Sequence, residues 1–158
     1  MRDVVTTIIK NADVRTIAAG IAVSRATATL PATGAQNIFT VSGGRILVKY
    51  LVGEVTTIIQ AQACTIKVTS TPTAGTAVDL SAVSASISGL EVGAKITLPA
   101  AAATALVFGN AGGVIVHQAE WVIPVGSLSY TTSATNTGSI KWDLVYVPLD
   151  IGAQVVAA

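Results

Sequence analysis

A chain of 158 residues is long enough for one domain with a full core and cramped for two. It is 51% hydrophobic but only 11% charged, where an ordinary soluble domain carries roughly 25% Asp, Glu, Lys and Arg. Its net charge is +1 and its basic residues are scattered from Arg2 to Lys141, which argues against a nucleic-acid partner.

About a fifth of the residues are Ser or Thr. A surface this poor in charge is expected to be clothed in hydroxyls and partly buried against other chains. The opening "MRDVVTTIIKNAD" carries charge and polarity too early and too often for a secretory leader. Val4, Val5, Ile8 and Ile9 recur at fourfold spacing, but they are β-branched with Thr6 and Thr7 between them, so helix and strand stay open there. Up to about residue 36 the pattern is irregular and predicts an extended arm or an outer strand.

Residues 44–60, "GRILVKYLVGEVTTIIQ", form the clearest strand pattern. Ile46, Val48, Tyr50 and Val52 fall on one face, and Leu47, Lys49, Leu51 and Gly53 on the other. Both faces are partly apolar, which predicts a central strand covered on two sides, with Gly53 marking a bulge or bend that splits the run. "CTIKVTSTPTAGTAVDL" alternates and then turns at Pro72 and Gly75. Cys64, the single cysteine, can form no internal disulfide and reads as a small buried hydrophobe.

Residues 96–119, "ITLPAAAATALVFGNAGGVIVHQA", carry no formal charge, and a membrane-spanning helix needs about 20 apolar residues. Pro99, Asn110 and the Gly112, Gly113 pair are poor in an isolated helix and natural in turns. Two short strands joined at "GNAGG" are expected instead, with "LPAAAATAL" able to form a turn or two of helix. "EWVIPV", "SLSYTTSA" and "IKWDLVYV" follow, separated by turns at Pro124 and Gly126 and at "TNTGS". In the last of them Ile140, Trp142, Leu144 and Tyr146 share a face opposite Lys141 and Asp143, as a half-buried antiparallel strand requires. The whole predicts an all-β single domain over 1–158, an antiparallel β-sandwich or barrel, jelly-roll-like. It divides into a possible arm or outer strand over 1–36, a core over 37–148 and an apolar tail over 149–158.

Residues that carry chemistry are scarce. His117 is the only histidine, and Ser42 and Ser127 stand beside glycine without the full G-x-S-x-G elbow. Eight carboxylates are spread singly, with no spacing suited to a metal or to an acid–base pair. "VSGGR" and "NAGGV" lack both phosphate-loop patterns and read as turns. No catalytic, cofactor-binding or metal-binding residue is assigned, no cofactor is expected, and the chain reads as a non-enzyme.

Residues 39–62, "FTVSGGRILVKYLVGEVTTIIQAQ", and 138–158, "GSIKWDLVYVPLDIGAQVVAA", resemble small structural proteins of tailed bacteriophages, in particular capsid decoration, or cement, proteins. The resemblance implies an all-β virion protein, assembled in the host cytoplasm, that docks on the outside of an icosahedral shell. Such proteins often act as homotrimers that contact the major capsid protein and bridge neighbouring capsomers, with no membrane partner. A tail-tube, head–tail joining or fibre-associated subunit is the alternative, and a carbohydrate-binding sandwich would need clustered exposed aromatics that are missing here. The expected assembly interface comprises Val4, Val5, Ile8 and Ile9 with Leu149, Ile151, Val155 and Val156. The tail is expected to leave its sheet after Pro148 and pack on a neighbour or on the shell, against the alternative that it folds back on its own core.

Overall fold

Short runs of branched aliphatic and aromatic residues, cut by glycine and proline turns, favour strands that bury one face each. The computed structural model describes Val14 and residues 18–31, 33–116 and 118–158. Val4, Val5, Ile8, Ile9 and His117 lie outside the described residues. The strands are β1 (Ile21–Thr29), β2 (Gly34–Ser42), β3 (Ile46–Thr57), β4 (Ile66–Pro72), β5 (Val78–Asp79) and β6 (Lys95–Thr97). They continue with β7 (Val107–Gly109), β8 (Trp121–Ile123), β9 (Gly126–Thr132), β10 (Ser139–Pro148) and β11 (Gln154–Ala157).

Two antiparallel sheets form. One runs β1-β10-β3-β6-β7, with β8 pairing beside β6 on β3, and the other runs β11-β2-β9-β4-β5. The pairs β1·β10 and β3·β6 lie in the first sheet, β2·β9 and β4·β5 in the second. A long hairpin rolled so that its rungs alternate between two sheets has this connectivity, which is that of a jelly roll. β7, β8 and β11 are additions to it. No described ladder joins the two sheets, so the fold is a sandwich and not a closed barrel.

The inward rows meet in one core. Ile140, Trp142, Leu144 and Tyr146 of β10 face inward and are buried, as their alternation predicts. Phe39 and Val41 of β2 and Leu128 and Tyr130 of β9 face them from the other sheet. The Trp142 and Tyr130 rings pack with centroids 5.6 Å apart across this gap, a tilted contact favoured by ring quadrupoles. Cys64 is buried and plugs one end with Ile59 and Ile87, as read from the sequence.

β3 departs from the predicted alternation. It runs unbroken over Ile46–Thr57, but its pairing with β10 slips so that Tyr146 faces Val48 while Val145 faces Tyr50. Lys49 is the extra residue, a β-bulge that inverts the faces beyond it. Ile46 and Val48 point inward before the bulge, Leu51, Gly53 and Val55 after it, and Tyr50 faces solvent. Gly53 therefore marks no break. It sits opposite Trp142, and a Cβ at that position would lie 3.0 Å from the indole. The glycine is there to seat a tryptophan.

Two further expectations fail. "LPAAAATAL" makes an exposed turn around Ala103, whose φ is 60°, and no described helix. Of the two strands expected around "GNAGG" only β7 forms, and it pairs with β6, while residues 114–116 stay irregular and mostly exposed.

The tail also differs. After Pro148 the chain leaves the first sheet, crosses to the second and pairs with the edge of β2 as β11, with Val155 opposite Val41. Val155, only 6% exposed, is part of this chain's own core and is withdrawn from the expected interface. The reason is the alternation Ala153, Gln154, Val155, Val156, which supplies one buried face and covers an edge that would otherwise present open hydrogen-bonding groups. The Tyr146 hydroxyl accepts from the Val155 N–H, and the Ala158 N–H donates to the Ile38 carbonyl. Arg25 of β1 turns inward, 9% exposed, and its Nε donates to the Ala158 carbonyl at 3.1 Å. Leu149, Ile151 and Val156 remain exposed.

Gly53→Val should destabilise the fold by about 1–3 kcal/mol through overpacking against the indole, read as a lower urea midpoint with an unchanged slope. Tyr130 gives a test by pH. Its hydroxyl donates to Gln36 Oε1, and burial pushes its phenol up to about 12. A group raised on folding supports the native state fully below its unfolded value near 10 and loses that support as pH rises toward 12. Tyr130→Phe should lose about 1 kcal/mol at neutral pH and show a shallower stability decline between pH 10 and 12 in denaturation curves.

Candidate assembly surface

The outer face of the second sheet is nearly free of charge. Thr40, Ser127 and Thr71 stand in register across β2, β9 and β4, and Asn37, Ser129 and Thr69 form a second row. Short hydroxyl and amide side chains hydrate this face without ions. At its rim Lys67 pairs with Asp79 at 2.9 Å, and Thr69 donates to the same carboxylate.

The outer face of the first sheet carries paired charges. Glu54 stands 2.9 Å from Lys95 and 3.4 Å from Lys141. The hydrogen bond from Lys95, helped by Lys141, holds the Glu54 carboxyl below its usual range. Lys49 pairs with Glu120, and Ser24 donates to Asp143.

One edge of the sandwich lacks hydroxyl rows and carries ions only at its margins, at Asp79, Lys95 and Glu120. The connections that carry β6, β7 and β8 contain the uncharged stretch 96–119. Ala100, Ala101 and Ala102 are exposed there, with Val107, Val116 and Ile115, the last 80% exposed. Val122 on β8 is also exposed. Against the same edge, between β5 and β8, lies an apolar cleft of about 110 Å³ lined by Pro72, Val78, Leu80, Trp121 and Pro124. The Trp121 Nε1 is buried without a hydrogen-bond partner. Soluble monomers seldom expose contiguous apolar patches without a function for them.

At the opposite edge the turn that leads into β11 is clamped. Asp150 Oδ2 accepts from the Arg45 backbone N–H at 2.7 Å and from Arg45 Nε at 2.9 Å, and its Oδ1 accepts from Nη2 at 2.8 Å. A bidentate guanidinium–carboxylate pair fixes geometry as well as charge. The Leu149 N–H closes the turn on the Arg45 carbonyl. Gly43 packs so closely that a Cβ there would fall 2.0 Å from the Gly152 carbonyl oxygen. The Arg45 side chain, and after it the Arg45 N–H, hold the Asp150 carboxyl well below the usual carboxylate range. On this turn stands Ile151, fully exposed at 104%.

The expected interface is thus divided. Leu149, Ile151 and Val156 lie on the surface at the tail edge, and Val155 does not. Ile115, Val116 and Val122 were not singled out from the sequence, although the absence of charge over 96–119 marked their neighbourhood. Among the described residues no group of three or more His, Cys, Asp or Glu is placed to hold a metal ion. No helix among them is long and apolar enough to cross a membrane, which says nothing of strands.

The clamp should show itself in acid. A carboxyl lowered on folding supports the native state above its unfolded value near 4 and loses that support as pH falls toward its folded value. Asp150→Asn should flatten the acid limb of the stability curve and speed hydrogen exchange at the β11 amides, while β9 amides keep their protection. Compared with family models, with curated proteins and with solved structures, the chain gives no match.

Proposed function

We propose that this chain is a structural virion subunit of a tailed bacteriophage. In this reading homotrimers bind the outside of the icosahedral capsid, contact the major capsid protein and stabilise the shell by bridging neighbouring capsomers. Jelly rolls serve capsid, lectin and cupin proteins alike, so the surface rather than the fold has to carry the assignment.

The observation that carries it is the uncharged edge formed around Val107, Ile115, Val116 and Val122. Interface cores are depleted in charge, and this edge is depleted while the outer faces of the two sheets are hydrated by hydroxyls or by paired ions. The resemblance of residues 39–62 and 138–158 to small virion proteins supports the same reading. A repeating shell also suits such a patch, because many weak contacts add through multivalency when copies are linked.

The test is co-sedimentation of the purified chain with phage capsids lacking it. Wild type should bind at saturable stoichiometry, and Ile115→Asp combined with Val116→Asp should weaken binding at least tenfold. That corresponds to about 1.4 kcal/mol, less than burying two aliphatic side chains provides. The double variant should keep the wild-type melting temperature, since both side chains are exposed. Absence of binding to capsids, or a reconstruction placing the chain on a tail, joining ring or fibre, would overturn the assignment.

A further inference from the structure

The exposed Ile151 and the cleft beside Trp121 are two halves of one contact, and we propose that copies of this chain associate side by side, Ile151 of one seated in the cleft of the next. This inference rests on the self-assembly in the reading above and names its contact. It does not depend on binding to a shell.

Three observations carry it. First, Ile151 projects entirely into solvent from a turn held by the Arg45–Asp150 clamp. A rigid turn exposing a branched aliphatic side chain gains nothing within its own chain, since the residue touches no core. Second, the cleft of about 110 Å³ is lined by apolar groups, chiefly Pro72, Val78, Leu80 and Trp121. An aliphatic cavity of roughly 150 Å³ is known to take a benzene ring, so a butyl-sized side chain suits this smaller one.

Third, position and charge agree. The turn at Ile151 adjoins β10 and β11, on the side of the sandwich where β1 and β11 form the sheet edges. The cleft lies on the other side, where β5 is an edge and β8 flanks β3. Both belong to the same end of the sandwich: Ile46, next to Arg45, pairs with Ile123 of β8, and Gly126 pairs with Val41 on one side and Pro72 on the other. A knob and a hole on opposite sides of one end make a heterologous contact, and such contacts build rings when the rotation closes. The knob carries the largely exposed guanidinium of Arg45, and half-exposed carboxylates stand at Asp79 and Glu120, next to Val78 and Trp121. Each of these charges already has a partner within its chain, so they set orientation and leave affinity to the apolar insertion.

Sedimentation velocity on two variants and their mixture tests the contact. Ile151→Asp removes the knob and keeps the hole; Val78→Trp fills the hole and keeps the knob, at an exposed position. Wild type should form closed oligomers, and each variant alone should be monomeric, with self-association weakened at least tenfold. An equimolar mixture should stop at heterodimers, because only one knob and one hole remain between two copies. Thr76→Trp, at the cleft rim, replaces Val78→Trp should the latter melt early. Wild type that stays monomeric, Ile151→Asp that still assembles, or a filled cleft that does not block assembly would each overturn the proposal. Shell binding retained by monomeric Ile151→Asp would leave the contact between copies standing and show the capsid contact to be separate.

Discussion

The indole of Trp142 reaches the middle of the space between the sheets only because position 53, directly opposite on β3, has no side chain. From that seat it meets Tyr130 of the other sheet, and the two rings span a gap that sandwiches otherwise fill with interdigitating aliphatics. The depth of this contact ties β10 and β3 to β9. β10 in turn holds β1 on its other side and, through the Tyr146 hydroxyl, the amide of Val155. Much of what the outer strands and the tail present to solvent depends on the inner row of β10.

A chain with this little charge has to meet water by other means, and it uses different means on different faces. In-register hydroxyl rows cover one sheet, and compact ion pairs cover the other. Exposed pairs of this kind contribute little to stability; their use here is hydration. Exposed aliphatic side chains remain at both lateral edges, on the β6–β8 connections on one side and on the tail turn on the other, and also at Ile58, Val83 and Val92. The strand order places the tail turn and the β6–β8 connections on opposite lateral edges of the sandwich.

Strands whose two faces differ sharply were legible in the sequence. The inner row of β10 is apolar and the outer row carries Lys141 and Asp143, so its burial pattern follows from alternation alone. β3 was legible as a strand but not in phase, because both of its rows are apolar and the bulge at Lys49 leaves no local signature. The alanine run at 100–103 favours helix by propensity, yet it follows Pro99 on a solvent edge with no partner face to stabilise so short a helix. Of the candidate surface, the charge-free stretch 96–119 was legible as a composition, and the cleft against it was not, since Pro72 and Val78 come from β4 and β5, far away in the chain.

Composition and alternation by themselves determined an all-β chain, its principal strands, a buried cysteine, an inward row on β10 and a surface short of charge. Those properties depend on neighbours within a few residues, where side-chain period and turn chemistry act. Only the tertiary structure decided the strand order, the phase of β3, the reason for Gly53 and the return of the tail onto β2. Each of these is a contact between distant segments, and its outcome depends on which partner is present to accept a side chain or an open strand edge.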